Sequence, residues 1–185
     1  MRPLTASGGV AGRGAPGDSR TRLSPQAIRE NREKLLERNA VFRRHGYDPS
    51  LDTALLLDLA GPLRGRTLEL GTGKGRLLAA LLAQGARVTT IDIDPDEQRF
   101  ARLNVAYERP LGCVRFRIAD ASALPWPDRT FDNVVSVDAL HHMQDPARAV
   151  EEALRVVKPG GKIVLADFNA RGFAILSRIH RAEGR

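Results

Sequence analysis

The residues best able to do chemistry in this 185-residue sequence are carboxylates and glycines gathered in a few short stretches. Leu68-Glu69-Leu70-Gly71-Thr72-Gly73-Lys74-Gly75-Arg76 reads as a strand running into a glycine-rich turn and then a helix. Glycine permits positive φ and lets a backbone approach a ligand closely, and the helix start beyond it offers unpaired N–H groups. A second apolar run, Val88-Thr89-Thr90-Ile91, ends in Asp92, 21 residues after Gly71. An acid at that spacing can accept both hydroxyls of a ribose. Alone, the glycines are only what a turn before a helix needs; joined to Asp92 they outline a nucleotide-type crevice. Asp94, followed by Pro95, reads as a helix cap. A dinucleotide fingerprint wants glycine at position 76, which is Arg, and the third glycine here is Gly75. Glu69 lies just inside the strand end, where a carboxylate repels a pyrophosphate but not an ammonium or sulfonium. Spacing and charge therefore favour a cationic adenosyl ligand over a nicotinamide or flavin dinucleotide.

These residues need a frame. Apolar runs at 67–70, 88–93, 114–118, 134–137 and 162–166 read as strands, with helices over about 75–84, 95–107, 146–157 and 171–182. Strands separated by helices at this spacing make βαβ units, and right-handed crossovers turn them into a three-layer, doubly wound, mostly parallel α/β sheet. Ahead of this core (63–185) lies a helical segment (23–62). Ser24-Pro25 opens one helix over about 25–44, and a second covers about 50–60 up to Gly61-Pro62. Residues 1–22, rich in Gly, Arg, Ser and Pro, are expected to be a disordered basic tail. Phe42, His45 and Tyr47 follow from the first helix and could form a lid or simply pack on the sheet. The Lys158-Pro159-Gly160-Gly161 turn has a structural role, and Trp126 reads as a core plug ahead of an adenine-stacking ring.

Composition excludes several classes. The lone Cys113 rules out an internal disulfide and a cysteine-rich metal site, and no metal is expected. No apolar run approaches the roughly 20 residues that span a bilayer, so a cytoplasmic protein is expected. The net charge of +7 sits at the ends: ten Arg/Lys against five Asp/Glu in residues 1–48, four against one in 171–185, but fifteen against sixteen between. Basic ends can attract RNA, yet the excess lies outside the part that looks catalytic. Nucleic acid is possible as a partner but not favoured.

The ordered set of motifs resembles the class I S-adenosylmethionine-dependent methyltransferases, with their Rossmann-like core, over about residues 64–168. The similarity is to the branch containing ubiquinone/menaquinone-type and small-molecule methyltransferases. Glu69-x-Gly71-x-Gly73-x-Gly75 matches the family's first motif, and Asp92 with Ile93 its ribose acid and adenine-packing residue. Asp120 and Ala121 match the adenine amino and ring-edge segment. Phe131-Asp132-Asn133-Val134-Val135 and Val137-Asp138-Ala139-Leu140-His141-His142 match the fourth-strand signature, and Arg155-Val156-Val157-Lys158-Pro159-Gly160-Gly161 the turn before the fifth. The resemblance implies S-adenosyl-L-methionine as cofactor. It implies Glu69, Gly71, Thr72, Gly73, Gly75, Asp92, Ile93, Asp120, Ala121 and Asp138 as its contacts, Asp138 at the methionine end.

Methyl transfer from a sulfonium is an in-line displacement that needs alignment and dryness, and a base only when the acceptor must lose a proton. His141 or His142 could be that base or orient the acceptor; otherwise they cap the next segment. No Asn/Asp-Pro-Pro-aromatic run follows the fourth strand and no Pro-Cys pair ends it. Methylation of the adenine amino group or of cytosine C5 in nucleic acid is therefore disfavoured, and oxygen, nitrogen and carbon acceptors on small molecules stay open. The family pattern continues with two more strands that are not found here, so the core is expected to be C-terminally short, or its edge completed by a partner chain or dimer. The alternatives to an active enzyme are a catalytically incomplete cofactor- or partner-binding protein and a nicotinamide-dependent oxidoreductase.

Overall fold

The computed structural model describes residues 23–108 and 111–182; the basic stretch 1–22 lies outside the described residues. Helix α1 (Pro25–Arg44) starts where Ser24 Oγ accepts the Ala27 N–H at 3.1 Å. Helix α2 (Pro49–Ala60) starts on Asp48, whose carboxylate takes the Ser50 N–H. Both put proline in their first turn, where its missing N–H has no intrahelical partner to lose. The alternation then runs β1 (Arg66–Leu70), α3 (Arg76–Ala83), β2 (Arg87–Asp92), α4 (Pro95–Glu108), β3 (Val114–Ile118), β4 (Phe131–Val137), α5 (Pro146–Val156), β5 (Val157–Ala166) and α6 (Ala170–Ala182).

Among the described residues the sheet has five strands in the order β3-β2-β1-β4-β5, and every pairing is parallel. The order reverses between β1 and β4, which makes their carboxyl ends the crevice of an open α/β sheet. Strand alternation sends Leu68, Leu70, Ile91 and Val134 to one face, where they pack with Phe131, Ala149, Ala153 and Val156. Val88 and Val135 go to the other face, beneath Leu77, Leu78, Leu81 and Val105. Each fully buried aliphatic chain of this kind contributes roughly 1.5–3 kcal/mol. Helix α1 lies across α4, fixed by Asn31 on Asn104 (2.5 Å) and Arg32 on Glu108 (2.9 Å).

The structure corrects two expected boundaries. Strand β4 begins at Phe131, three residues before the expected start. Asp132 and Asn133 look like turn residues, but Asn133 is buried, donating to Arg64 O and Thr67 Oγ1, and Asp132 accepts the Arg66 N–H. Strand β5 begins at Val157, so Lys158 to Gly161 is a bulge inside it: Phe131 pairs with Val157 and Asn133 with Lys162. Glycine is required there, because a Cβ on Gly161 would stand 2.6 Å from Asp132 O.

Candidate functional site

The glycine loop is stitched to the end of β2 by the backbone. Gly71 and Thr72 both donate to Ile91 O, at 2.9 and 2.8 Å, and Gly75 donates to Thr72 O. All three glycines have positive φ, at 80°, 46° and 79°. Their surroundings differ, and that assigns their roles. A Cβ on Gly71 would meet Ala139 Cβ at 2.5 Å, and one on Gly75 would meet the Ala101 backbone of α4 at 3.0 Å. A Cβ on Gly73 would meet nothing within 4 Å. The outer two glycines let neighbouring elements close in; the middle one leaves its backbone open to an incoming group.

Asp92 stands beside this loop at the tip of β2. Its Oδ2 accepts the Gly73 N–H at 2.8 Å and its Oδ1 the Asp94 N–H at 3.0 Å. Asp94 is the cap of α4, accepting from the N–H groups of Asp96 and Glu97. Ile93 is 70% exposed, an apolar surface without cover beside the acid. Asp120 lies past the tip of β3, exposed, with Oδ1 taking both the N–H and the hydroxyl of Ser122; Ala121 beside it is buried. The loop that carries them is anchored from α5. Glu152 accepts the Leu124 N–H, and Arg155 reaches Leu124 O, Trp126 O, Glu152 and Asp128. The Arg155 hydrogen bond holds the Glu152 carboxyl down at about 2. Trp126 packs edge-on against Phe131, a core plug.

Glu69 is the buried acid of this region. Strand alternation turns it towards the α3 side of the sheet and buries it completely, beneath the loop instead of along the crevice wall. Its register partner is Thr90, whose hydroxyl donates to Glu69 Oε2 at 2.5 Å and accepts from the Thr72 hydroxyl at 2.6 Å. Oε1 has no partner among the described residues. Burial, above all, pushes this carboxyl up to about 8, so it is largely neutral at pH 7. Its hydrogen-bonded link through Thr90 to Thr72 runs beneath the loop.

A second group of side chains stands at the tips of β4 and β5. Asp138 follows β4 with φ 54°, and its Oδ2 accepts from the Tyr47 hydroxyl at 3.1 Å. Asp167 follows β5; its Oδ2 accepts the His141 N–H at 2.9 Å and its Oδ1 contacts His141 Nδ1 at 2.6 Å. His142 stacks on His141 with ring centres 3.9 Å apart, and burial lowers its pKa. Phe168, between β5 and α6, and Phe173, in the first turn of α6, set their rings against His141 at 5.6 and 5.3 Å, and Tyr47 sets its ring against Phe168 at 5.6 Å. Of the three lid residues considered, Tyr47 reaches the site, Phe42 is buried behind it and His45 stays exposed. Asp167 and the direct role of Tyr47 were missed. The signal for Asp167 was available, since it is a fourth acid at a strand end, after Asp92, Asp120 and Asp138.

An open cleft of about 930 Å³ lies at the other end of the sheet, between Leu57, Leu63, Arg66 and Arg87. It carries none of the strand-tip acids. No cluster of three or more His, Cys, Asp or Glu among the described residues is placed to hold a metal.

The sequence of residues 68–165 matches the family of the methyltransferase domain. The chain belongs to the class I S-adenosylmethionine-dependent methyltransferases. This methyltransferase chain is 40% identical over 138 residues to 27-O-demethylrifamycin SV methyltransferase of Amycolatopsis mediterranei, covering 67% of this chain and 50% of that protein. It is 36% identical over 118 residues to demethylmenaquinone methyltransferase of Clavibacter sepedonicus, covering 63% and 47%. Among solved structures, the S-adenosylmethionine-dependent methyltransferase of Mesorhizobium loti superposes with a TM-score of 0.52 at 27% identity, covering 60% of this chain and 50% of that one. The methyltransferase chain thus spans about half the length of the curated relatives it matches. The family's cofactor, S-adenosylmethionine, suits the residues present: open space beside Gly73, an acid at Asp92, an apolar surface at Ile93 and a carboxylate at Asp120.

Proposed function

We propose that this chain transfers a methyl group from S-adenosylmethionine to a hydroxyl oxygen of a small, ring-bearing acceptor, with His141 as the base. In this reading Gly71, Thr72, Gly73 and Gly75 shape the loop around the donor, with Glu69 beneath it. Asp92 takes the ribose, Ile93 and Ala121 flank the adenine, Asp120 accepts its amino group, and Asp138 meets the methionine end. When bound, the donor supplies an electrophilic methyl on a sulfonium. The chain's own contribution is alignment, exclusion of water and removal of one proton.

The observation that carries the reading is the His141–Asp167 pair at the mouth of the crevice. Asp167 accepts from Nδ1–H and so fixes the tautomer that leaves Nε2 as a proton acceptor, and it stabilises the imidazolium once the proton arrives. The same carboxylate grips the His141 backbone, which holds the ring in place. His142 has no carboxylate partner of this kind and serves as the wall on which His141 stacks. The rings of Phe168, Phe173 and Tyr47 around the pair suit a flat apolar acceptor, and the names of both relatives above describe methyl transfer to small molecules. A cytoplasmic location, expected from the composition, is carried forward with this proposal.

Calorimetric binding of S-adenosylhomocysteine, followed by turnover on a panel of phenols and alcohols, tests it. Binding with oxygen methylation that collapses in Asp167→Asn supports the assignment. Binding without turnover on any hydroxyl acceptor points to a cofactor-binding protein instead, and methylation that survives Asp167→Asn removes the base.

A further inference from the structure

The near-zero charge of residues 49–170, fifteen Arg/Lys against sixteen Asp/Glu, is unevenly spread. Asp92, Asp120, Asp138 and Asp167 gather at the strand tips, whereas four arginines share one face of the sheet. Arg66 and Arg87 open β1 and β2 as register partners, and Arg115 and Arg117 of β3 pair with Thr89 and Ile91. Alternation puts all four on the face of Leu68, Leu70 and Ile91, while Val114 and Phe116 turn to the other. Arg66 shows the side directly, its guanidinium lying 5.2 Å from the centre of the Phe131 ring. Helix α5 and the loop before β4 bury the apolar residues of that face and leave the arginines exposed. Like charges side by side on neighbouring strands oppose pairing, and a purely structural row would alternate with acids. None of the four closes an ion pair among the described residues. Asp132 feels the Arg66 charge, but its oxygens are engaged by Lys158 Nζ at 2.6 Å and the Arg66 N–H at 2.8 Å. Strand geometry spaces the Cα atoms of the row in steps of about 5–8 Å, with the half-buried Thr89 between them. Among the described residues, the one large, exposed apolar side chain on these three strands is Ile118, and alternation turns it to the opposite face. The row therefore lacks the apolar centre of a protein interface and the apolar wedge of a membrane anchor. A line of cations without such an anchor matches a line of phosphates, which arginine holds through charge-assisted bonds.

We propose that Arg66, Arg87, Arg115 and Arg117 form a docking row for the phosphate backbone of single-stranded nucleic acid. A single strand can bend its phosphates to a row this short and flat. The strand is tethered and not methylated: the row starts at the amino ends of β1 and β2 and runs onto the β3 edge, leaving the crevice to its small acceptor. It stands apart from the donor site and from the arginines at the two ends of the chain.

Fluorescence anisotropy of a labelled oligouridylate, titrated with the full chain over a series of salt concentrations, tests the row. The variant combining Arg66→Gln, Arg87→Gln, Arg115→Gln and Arg117→Gln should bind more than about tenfold more weakly at about 50 mM salt. Its slope of log affinity against log salt should be shallower by about 3, at roughly 0.7 for each phosphate released. The matching variant with lysine at all four positions keeps the charges and should hold most of the slope; it also guards against a folding defect in the glutamine variant. Oligoadenylate should bind within about threefold of oligouridylate, because phosphates carry no sequence. Undiminished affinity and slope in the glutamine variant would move the contacts to the basic ends of the chain and overturn the row. A wild-type chain that leaves oligouridylate free at about 50 mM salt overturns it as well. So does a glutamine variant that loses binding to phosphatidylglycerol vesicles while its oligouridylate binding is unmoved, which would hand the row to a lipid surface.

Discussion

The two halves of the crevice are built differently. The heart of the proposed donor side comes from one continuous βαβ unit: backbone hydrogen bonds tie loop 71–75 to the end of β2, the Asp92 carboxylate accepts the Gly73 N–H, and the buried Thr72–Thr90–Glu69 chain lies below. The proposed acceptor side is gathered from afar, with Tyr47 from the α1–α2 corner, His141 after β4, and Asp167, Phe168 and Phe173 around the end of β5 and the start of α6. One half is a local consequence of strand, turn and helix. The other depends on four separate segments meeting, so a change in any of them re-aims the rest. Elements of this second kind are where acceptor choice can change while the donor stays the same.

That contrast breaks most sharply if acceptor-side changes disturb donor binding. His141→Gln is expected to lower kcat by about 10²–10⁴, the usual worth of a positioned base, with the dissociation constant of S-adenosylhomocysteine unchanged. Asp92→Ala is the converse. It frees the Gly73 N–H and removes the sugar acceptor, and a loss of roughly 100-fold in donor affinity by calorimetry is expected. A variant that bound the donor normally would unseat Asp92.

A smaller effect sharpens the donor half. Glu69 has a carboxyl raised from its ordinary 4.5 to about 8. Between those values the folded chain keeps a proton that the unfolded chain releases, so stability falls as pH rises, at about 1.4 kcal/mol per unit, and levels off above about 8. Glu69→Gln should flatten this slope. Thermal melts from pH 5 to 9 that ran parallel for wild type and variant would show that the carboxyl is not held neutral. The smallest change expected is Tyr47→Phe, which deletes one hydroxyl bond to Asp138 worth about 1 kcal/mol. A severalfold rise in KM with little change in kcat would mark the corner as a positioning element. A loss in kcat as deep as that of His141→Gln would instead place Tyr47 among the reacting groups.

The donor half was legible because its signals are local. Glycines at 71, 73 and 75 and an acid at a fixed distance follow from how a strand must turn into a helix around a ligand. The sheet was legible for the same reason, since apolar runs alternated with helical spacing. What escaped depended on contacts distant in sequence. Asn133 looks like a turn residue until Arg64 and Thr67 satisfy its amide inside the sheet. Glu69 looks like a crevice acid until pleat alternation turns it under α3. His141 and His142 were indistinguishable in sequence, and only Asp167, 26 residues on, separates them.

Both oxygens of Asp92 are engaged by the chain's own amides, those of Gly73 and Asp94. A sugar arriving at that carboxylate would join a junction already shared between the loop and the start of α4, its hydroxyls taking the lone pairs that the two amides leave. Occupancy is thereby written into the backbone. The amide proton of Gly73, coupled to the same oxygen that would meet the ribose, becomes a spectroscopic sentinel for the donor, legible by its chemical shift before any methyl group has moved.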